Sequence, residues 1–259
     1  MKSFWFTLFL ISILFLSCKK IDASKGEKLD HSVSVGSFNQ IVLKFGGILN
    51  YTEDSTQHTV TLHTSQAVMD ILDVKVENGQ LIFGLKDGYT LTHPEDIEIS
   101  VVSPLCNYFN LSGIGKMNIF RTSDSLLNRC EFIISGNGDA NVNKMHATEL
   151  FSLVSGSGNI RIENINVVNN ASVVSGSGDI ALYGNTYTNI LQVSGVGNIN
   201  SYSLNSVHAN INFSGSASAR VRVDSTLNVN ISGYGNVFYK GYPAITSSIS
   251  GDGGVIDSN

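Results

Sequence analysis

The chain has 259 residues, 42% of them apolar and only 14% charged, with a net charge of −5. Its arginines are scattered, with only Arg220 and Arg222 close together; a phosphate-binding face needs clustered Lys and Arg, which excludes nucleic acid as a partner. The roughly 230 residues behind the leader are enough for a substantial core, and one all-β domain of that length is ordinary.

Lys2 opens a positive segment, and Phe4 to Leu16 is a nearly unbroken apolar run too short to span a bilayer. Ser17 before Cys18 resembles the end of a bacterial lipobox. That resemblance implies cleavage before Cys18 and a lipid on its thiol; an ordinary signal peptide with an incidental cysteine is the alternative. Residues 1–17 are therefore expected to be a lipoprotein signal peptide. Residues 18–31, polar and without a strand pattern, are expected to be a tether between lipid and fold.

Residues 32–104 read as an N-terminal β section. Strands are predicted over Ser37 to Phe45, Thr59 to His63, Val74 to Val76, Leu81 to Leu85 and Ile97 to Val102, with one helical turn over Ala67 to Leu72. Asn78-Gly79 between two of them is a strong hairpin signal. This section is placed to cap the first rung of a repeat array that begins near residue 105. His58 and His63 fall on opposite faces of one strand, which disfavours a zinc site.

From 105 to 259 one phrase returns eight times. Its first two residues are Ser112-Gly113, Ser135-Gly136, Ser155-Gly156, Ser175-Gly176, Ser194-Gly195, Ser214-Gly215, Ser232-Gly233 and Ser250-Gly251. The steps are 23, 20, 20, 19, 20, 18 and 18 residues, a period that marks a solenoid with one rung per repeat. The residue before each serine is apolar in every copy, and so is the fifth residue after it, from Met117 through Ile160 to Val255. Two strands with inward alternation, joined by a Gly-rich corner, explain these columns. Met145, Ile165 and Leu204, ten residues after their serines, suit a third strand. The corner glycines allow positive φ or close backbone approach, Asn or Asp after them tolerates a left-handed conformation, and stacked Ser and Asn are expected to form ladders. The predicted fold is all-β: a right-handed parallel β-helix of about eight coils of about twenty residues. A propeller would need a repeat of about forty.

Cys106 and Cys130 stand at nearly equivalent places on adjacent rungs, either as a disulfide or as two buried thiols; a one-residue offset disfavours the bond. The last rung has no obvious cap, so self-association through the C-terminal rung is expected.

The repeat resembles the auto-transporter adhesin head GIN domain family, mostly envelope lipoproteins and secreted proteins of the Bacteroidota. The likeness spans roughly 33–256 and is carried by the Asn78-Gly79 hairpin, the strand from Ile97 to Pro104, Gly197-Asn198-Ile199-Asn200 and the copies at 155 and 175. It implies a right-handed β-helix, and its name implies adhesion. It brings no catalytic or ligand-binding residues with it.

Eight equivalent serines without a matching His column are structural rather than nucleophilic. The acids Glu131, Asp139, Glu149, Glu163, Asp179 and Asp224 occupy different offsets and do not stack into a cleft. Calcium-binding β-rolls use nine-residue repeats with an Asp in each, a pattern absent here. No enzyme activity, metal or cofactor is therefore expected. Tyr183, Tyr187, Tyr202, Tyr234, Tyr239 and Tyr242, in the last five coils, are the candidate binding surface for a glycan or protein ligand; rings that shield the flank or enter the core are the alternative. The expected place is the outer membrane, lipid-anchored, at the cell surface or facing the periplasm. The expected role is an adhesin or binding module without catalysis, with a periplasmic scaffold or sensor of envelope state as the alternative and a polysaccharide-active enzyme ranked behind both.

Overall fold

The computed structural model describes residues 18–259, so the expected signal peptide over 1–17 lies outside the described residues. The fold is a parallel β-solenoid of about eight turns. Each turn is a Gly-rich corner followed by a long bent strand. In the middle of the rod, the strand leaving one corner runs unbroken into the strand entering the next: Asn159–Val174, Ile180–Val193, Val196–Phe213 and Ser216–Ile231. The expected third strand is therefore not a separate piece. Met145, Ile165 and Leu204 are its buried inward residues.

The corner works through backbone contacts. The Ser155 and Ser175 N–H groups donate to the carbonyls of Ile134 and Val154 on the preceding rungs, both at 2.9 Å. A Cβ on Gly176 would overlap the carbonyl oxygen of Gly156, and Gly176 is not among the residues with positive φ. Close approach is thus what requires glycine there. The polar ladder is only half as expected. Asp139 Oδ1 accepts from Asn159 N at 3.1 Å, Asn159 Oδ1 from Asp179 N at 3.0 Å, and Asp179 Oδ1 from Asn198 N at 2.7 Å. The serine hydroxyls do not bond one another among the described residues: they face water, and those of Ser112 and Ser232 reach back only to the Leu43 and Phe213 carbonyls.

The solenoid begins earlier than residue 105. Gln40–Leu43 and Gly47–Glu53 form a rung parallel to Tyr108–Leu111 and Gly115–Phe120. Gln80–Leu85 and Glu98–Ser103 form a further rung beneath it. Capping is antiparallel: Leu72–Glu77 closes one edge through the hairpin at Asn78 (φ 51°) and Gly79 (φ 78°), and Thr59–Ser65 closes the other. The strand Gly47–Glu53 went unpredicted because Tyr51 and Glu53 occupy inward places and break the apolar alternation.

The expected tether is a correction. Lys19–Asp22 pairs in parallel with Tyr89–Thr92, and Lys28–Ser32 pairs antiparallel with Thr59–Ser65. These segments lie at edges, mostly exposed, so they carry no apolar pattern while their backbone groups are still paired.

The core is built of mostly apolar columns, one per inward offset, interrupted by buried Ser152, Asn170, Ser172 and Asn189. Phe109 stacks on Phe132 with centroids 5.4 Å apart, and Tyr51 meets Phe109 edge-on at 5.2 Å. The considered Cys106–Cys130 bond is absent: both thiols are free and buried. The parallel ladder begins only at Tyr108, paired with Glu131, so Cys106 lies before the strand while Cys130 lies within its own. Burial pushes the Cys106 thiol up to about 11 and that of Cys130 up to about 12, so both stay protonated at neutral pH. An alkylating reagent near neutral pH is expected to leave both unmodified in the folded protein and to label both after denaturation, read by peptide mass. Labelling before unfolding would contradict this packing.

Candidate binding face

The six tyrosines do not share one side of the rod. Tyr239 is half-buried against the core, Tyr234 projects from a corner, and Tyr187 lies edge-on to His208 at 5.0 Å. Tyr242, just past the strand that carries Tyr234 and Tyr239, is 90% exposed. On the sheet that follows the corners Tyr239 is turned toward the core, and Tyr183 and Tyr202 stand on the outward face. Their equal sequence offsets place them in adjacent rungs, with a register irregularity between.

That sheet carries a face that choosing residues by type overlooked. Six residues after successive serines stand Asn118, Asn141, Arg161, Ala181, Asn200, Arg220 and Phe238, all in one register column. Their neighbours at offset five point inward, so strand alternation turns this column to solvent. Asn118 Nδ2 donates to Asn50 Oδ1 at 2.9 Å, and Asn141 Nδ2 to Asn118 Oδ1 at 3.4 Å. Two places further along come Phe120, Glu163, Tyr183, Tyr202, Arg222 and Lys240.

Cations lie on the rings. The Arg161 guanidinium sits 4.3 Å from the Tyr183 centroid, Lys240 Nζ 4.8 Å from Tyr202, and Arg220 5.5 Å from Phe238. Arg161 also donates to the Tyr183 hydroxyl at 2.6 Å and to Glu163 Oε1 at 2.9 Å. The Glu163 bond raises the Arg161 pKa further above its ordinary value. Each exposed stack contributes about 0.5–1 kcal/mol, enough to orient these side chains. A groove of about 270 Å³ runs between Phe120 and the Arg161–Glu163 pair, floored by Ile119 and Val142.

The corner residues build the fold rather than a site. Asp139 and Asp179 are engaged as backbone acceptors. His63 hydrogen-bonds Asp30 at 2.7 Å, and His58 packs against the Phe38 ring. Among the described residues no three His, Cys, Asp or Glu side chains converge as a metal site, and no helix is long and apolar enough to cross a membrane. Cys18 is exposed, next to the first strand of the cap.

The family model described as putative auto-transporter adhesin, head GIN domain, matches residues 37–243. The chain belongs to that family. Solved structures superpose on it over most of its length. A putative adhesin from Parabacteroides distasonis gives a TM-score of 0.85 at 21% identity, covering 93% of this chain and 100% of that one. A putative lipid binding protein from the same species gives 0.81 at 23%, with the same coverage. A putative adhesin from Parabacteroides merdae gives 0.79 at 19%, covering 93% and 99%. At these identities the likeness shows the shared fold. No curated protein matches the chain.

Proposed function

We propose that this head GIN protein is a non-catalytic, adhesin-like binding rod, anchored by a lipid on Cys18 and displayed outside the cell. The observation that carries the reading is the face of aligned amides and cation–aromatic stacks on the sheet after the corners. Recognition surfaces are enriched in Tyr, Phe and Arg. Among the described residues, Glu131 and Glu149 pair with Arg129, Glu163 pairs with Arg161, and no side-chain base hydrogen-bonds a corner serine. The anchor is close to the rod, because Lys19 N bonds Gly88 O at 2.8 Å and ties the chain to the cap one residue after Cys18. A lipid there would hold the capped end at the membrane and leave the later coils pointing away.

Cells producing the full chain are expected to attach to mucin- or matrix-coated surfaces. The triple substitution Arg220→Ala, Phe238→Ala, Lys240→Ala should lower attachment at least about tenfold, as loss of a binding hot spot does. Equal attachment by wild type and variant would contradict the assignment of this face.

A second reading, lipid binding, is favoured by the opposite sheet. There Ile133, Leu153 and Val173 form an outward apolar column beside Phe151, Ala171 and Ile190, all only half-buried.

A further inference from the structure

We infer that the groove beside Phe120 is a subsite for one ring of a neutral glycan, an assignment that rests on the binding reading above and names its ligand class.

The groove exists because the coil from Ser112 to Ile134 is three residues longer than the coil that follows it and bulges at 121–126. Phe120 would be covered from the next rung by Asn143. That side chain is instead drawn to the Arg121 backbone, accepting from its N–H at 2.8 Å and donating to its carbonyl at 3.1 Å. Phe120 is left 54% exposed at the groove wall. An exposed aromatic face carries a negative quadrupole that attracts the C–H face of a pyranose.

The polar groups around the ring fit hydroxyls. Asn141 Oδ1 and one Glu163 oxygen accept no hydrogen bond from the described residues, while Arg161 presents donors held in place by Tyr183 and Glu163. Asn141 and Arg161 are register partners on adjacent rungs, whose backbones lie about 4.8 Å apart, so an acceptor and a fixed donor stand within reach of one sugar ring. The guanidinium is neutralised by Glu163 at 2.8–2.9 Å, so the subsite has no unpaired cation to favour an anionic sugar. A peptide adding as a strand is disfavoured, since the strands of this sheet are paired on both sides along the groove.

The test is saturation-transfer NMR on the exported protein with malto-, cello-, manno- and N-acetylchitohexaose as probes. Transfer to the ring protons of one sugar face is expected for at least one hexaose. Phe120→Ala, at an exposed position, should cut it about tenfold, and Asn141→Ala should weaken it, with far-ultraviolet circular dichroism unchanged. Tyr234→Ala, on a corner, should leave it intact. Transfer that survives Phe120→Ala would overturn the groove assignment. Silence with all four hexaoses would overturn the neutral-glycan assignment. In that case, attachment of wild-type cells to mucin- or matrix-coated surfaces would leave the binding reading standing, and its absence would remove both.

Discussion

Gly176→Val is expected to destabilise the rod by about 3 kcal/mol or more, at the upper end of what overpacking costs. The added carbon would overlap the Gly156 carbonyl oxygen and crowd that of Ser155. The same Gly156 oxygen accepts from Ser177 N at 2.9 Å, so forcing the rungs apart also breaks that bond. Because Gly195 in turn lies against the carbonyl of Gly176, the disturbance reaches the rung above. In a solenoid, stability is the sum of such nearest-neighbour interfaces. Ser175→Ala is the control: its hydroxyl faces water, and the change should stay within about 0.5 kcal/mol. Urea unfolding followed by circular dichroism separates the two. A Gly176→Val protein that unfolds with wild type would contradict close stacking at the corner.

Arg121→Met should cost roughly 3–5 kcal/mol, the penalty of stranding one member of a buried ion pair. Arg121 is 1% exposed and Glu53 6%. Arg121 Nε meets Glu53 Oε2 at 3.0 Å, and its Nη2 donates to the Ser125 carbonyl at 3.1 Å. Ser123 donates to the other Glu53 oxygen, and Thr122 Oγ1 to the Glu53 carbonyl at 2.9 Å. The pair therefore fastens the bulge at 121–126 to a rung formed far earlier in the chain. Adding Glu53→Leu to Arg121→Met should recover much of the loss, since an apolar pair of similar volume needs no desolvation of charge. A double variant as unstable as the sum of the singles would show that the two charges do not act on each other.

The solenoid was legible because its repeat is short and its glycines are demanded by stacking, which leaves a mark at every corner. The Asn78-Gly79 hairpin was legible for a similarly local reason: both residues adopt positive φ. Three features escaped. The Gly47–Glu53 strand hides its alternation because Glu53 is inward, and its partner Arg121 lies 68 residues away. The cap strands Lys19–Asp22 and Lys28–Ser32 hold to the fold by backbone pairing, which no side-chain pattern reports. The candidate face was split by selecting tyrosines, whose offsets scatter them around the rod. Aligning the sixth residue after each serine brings out Asn118, Asn141, Arg161, Arg220 and Phe238 instead, a signal present in the repeat itself.

Protease shaving of intact cells, read with an antibody against residues 105–259, tests most directly whether this is a binding rod held outside the cell. The expected result is loss of the rod from unbroken cells while a periplasmic marker survives. Full protection of the rod, with digestion only after lysis, would place it inside the envelope and contradict an adhesin-like role.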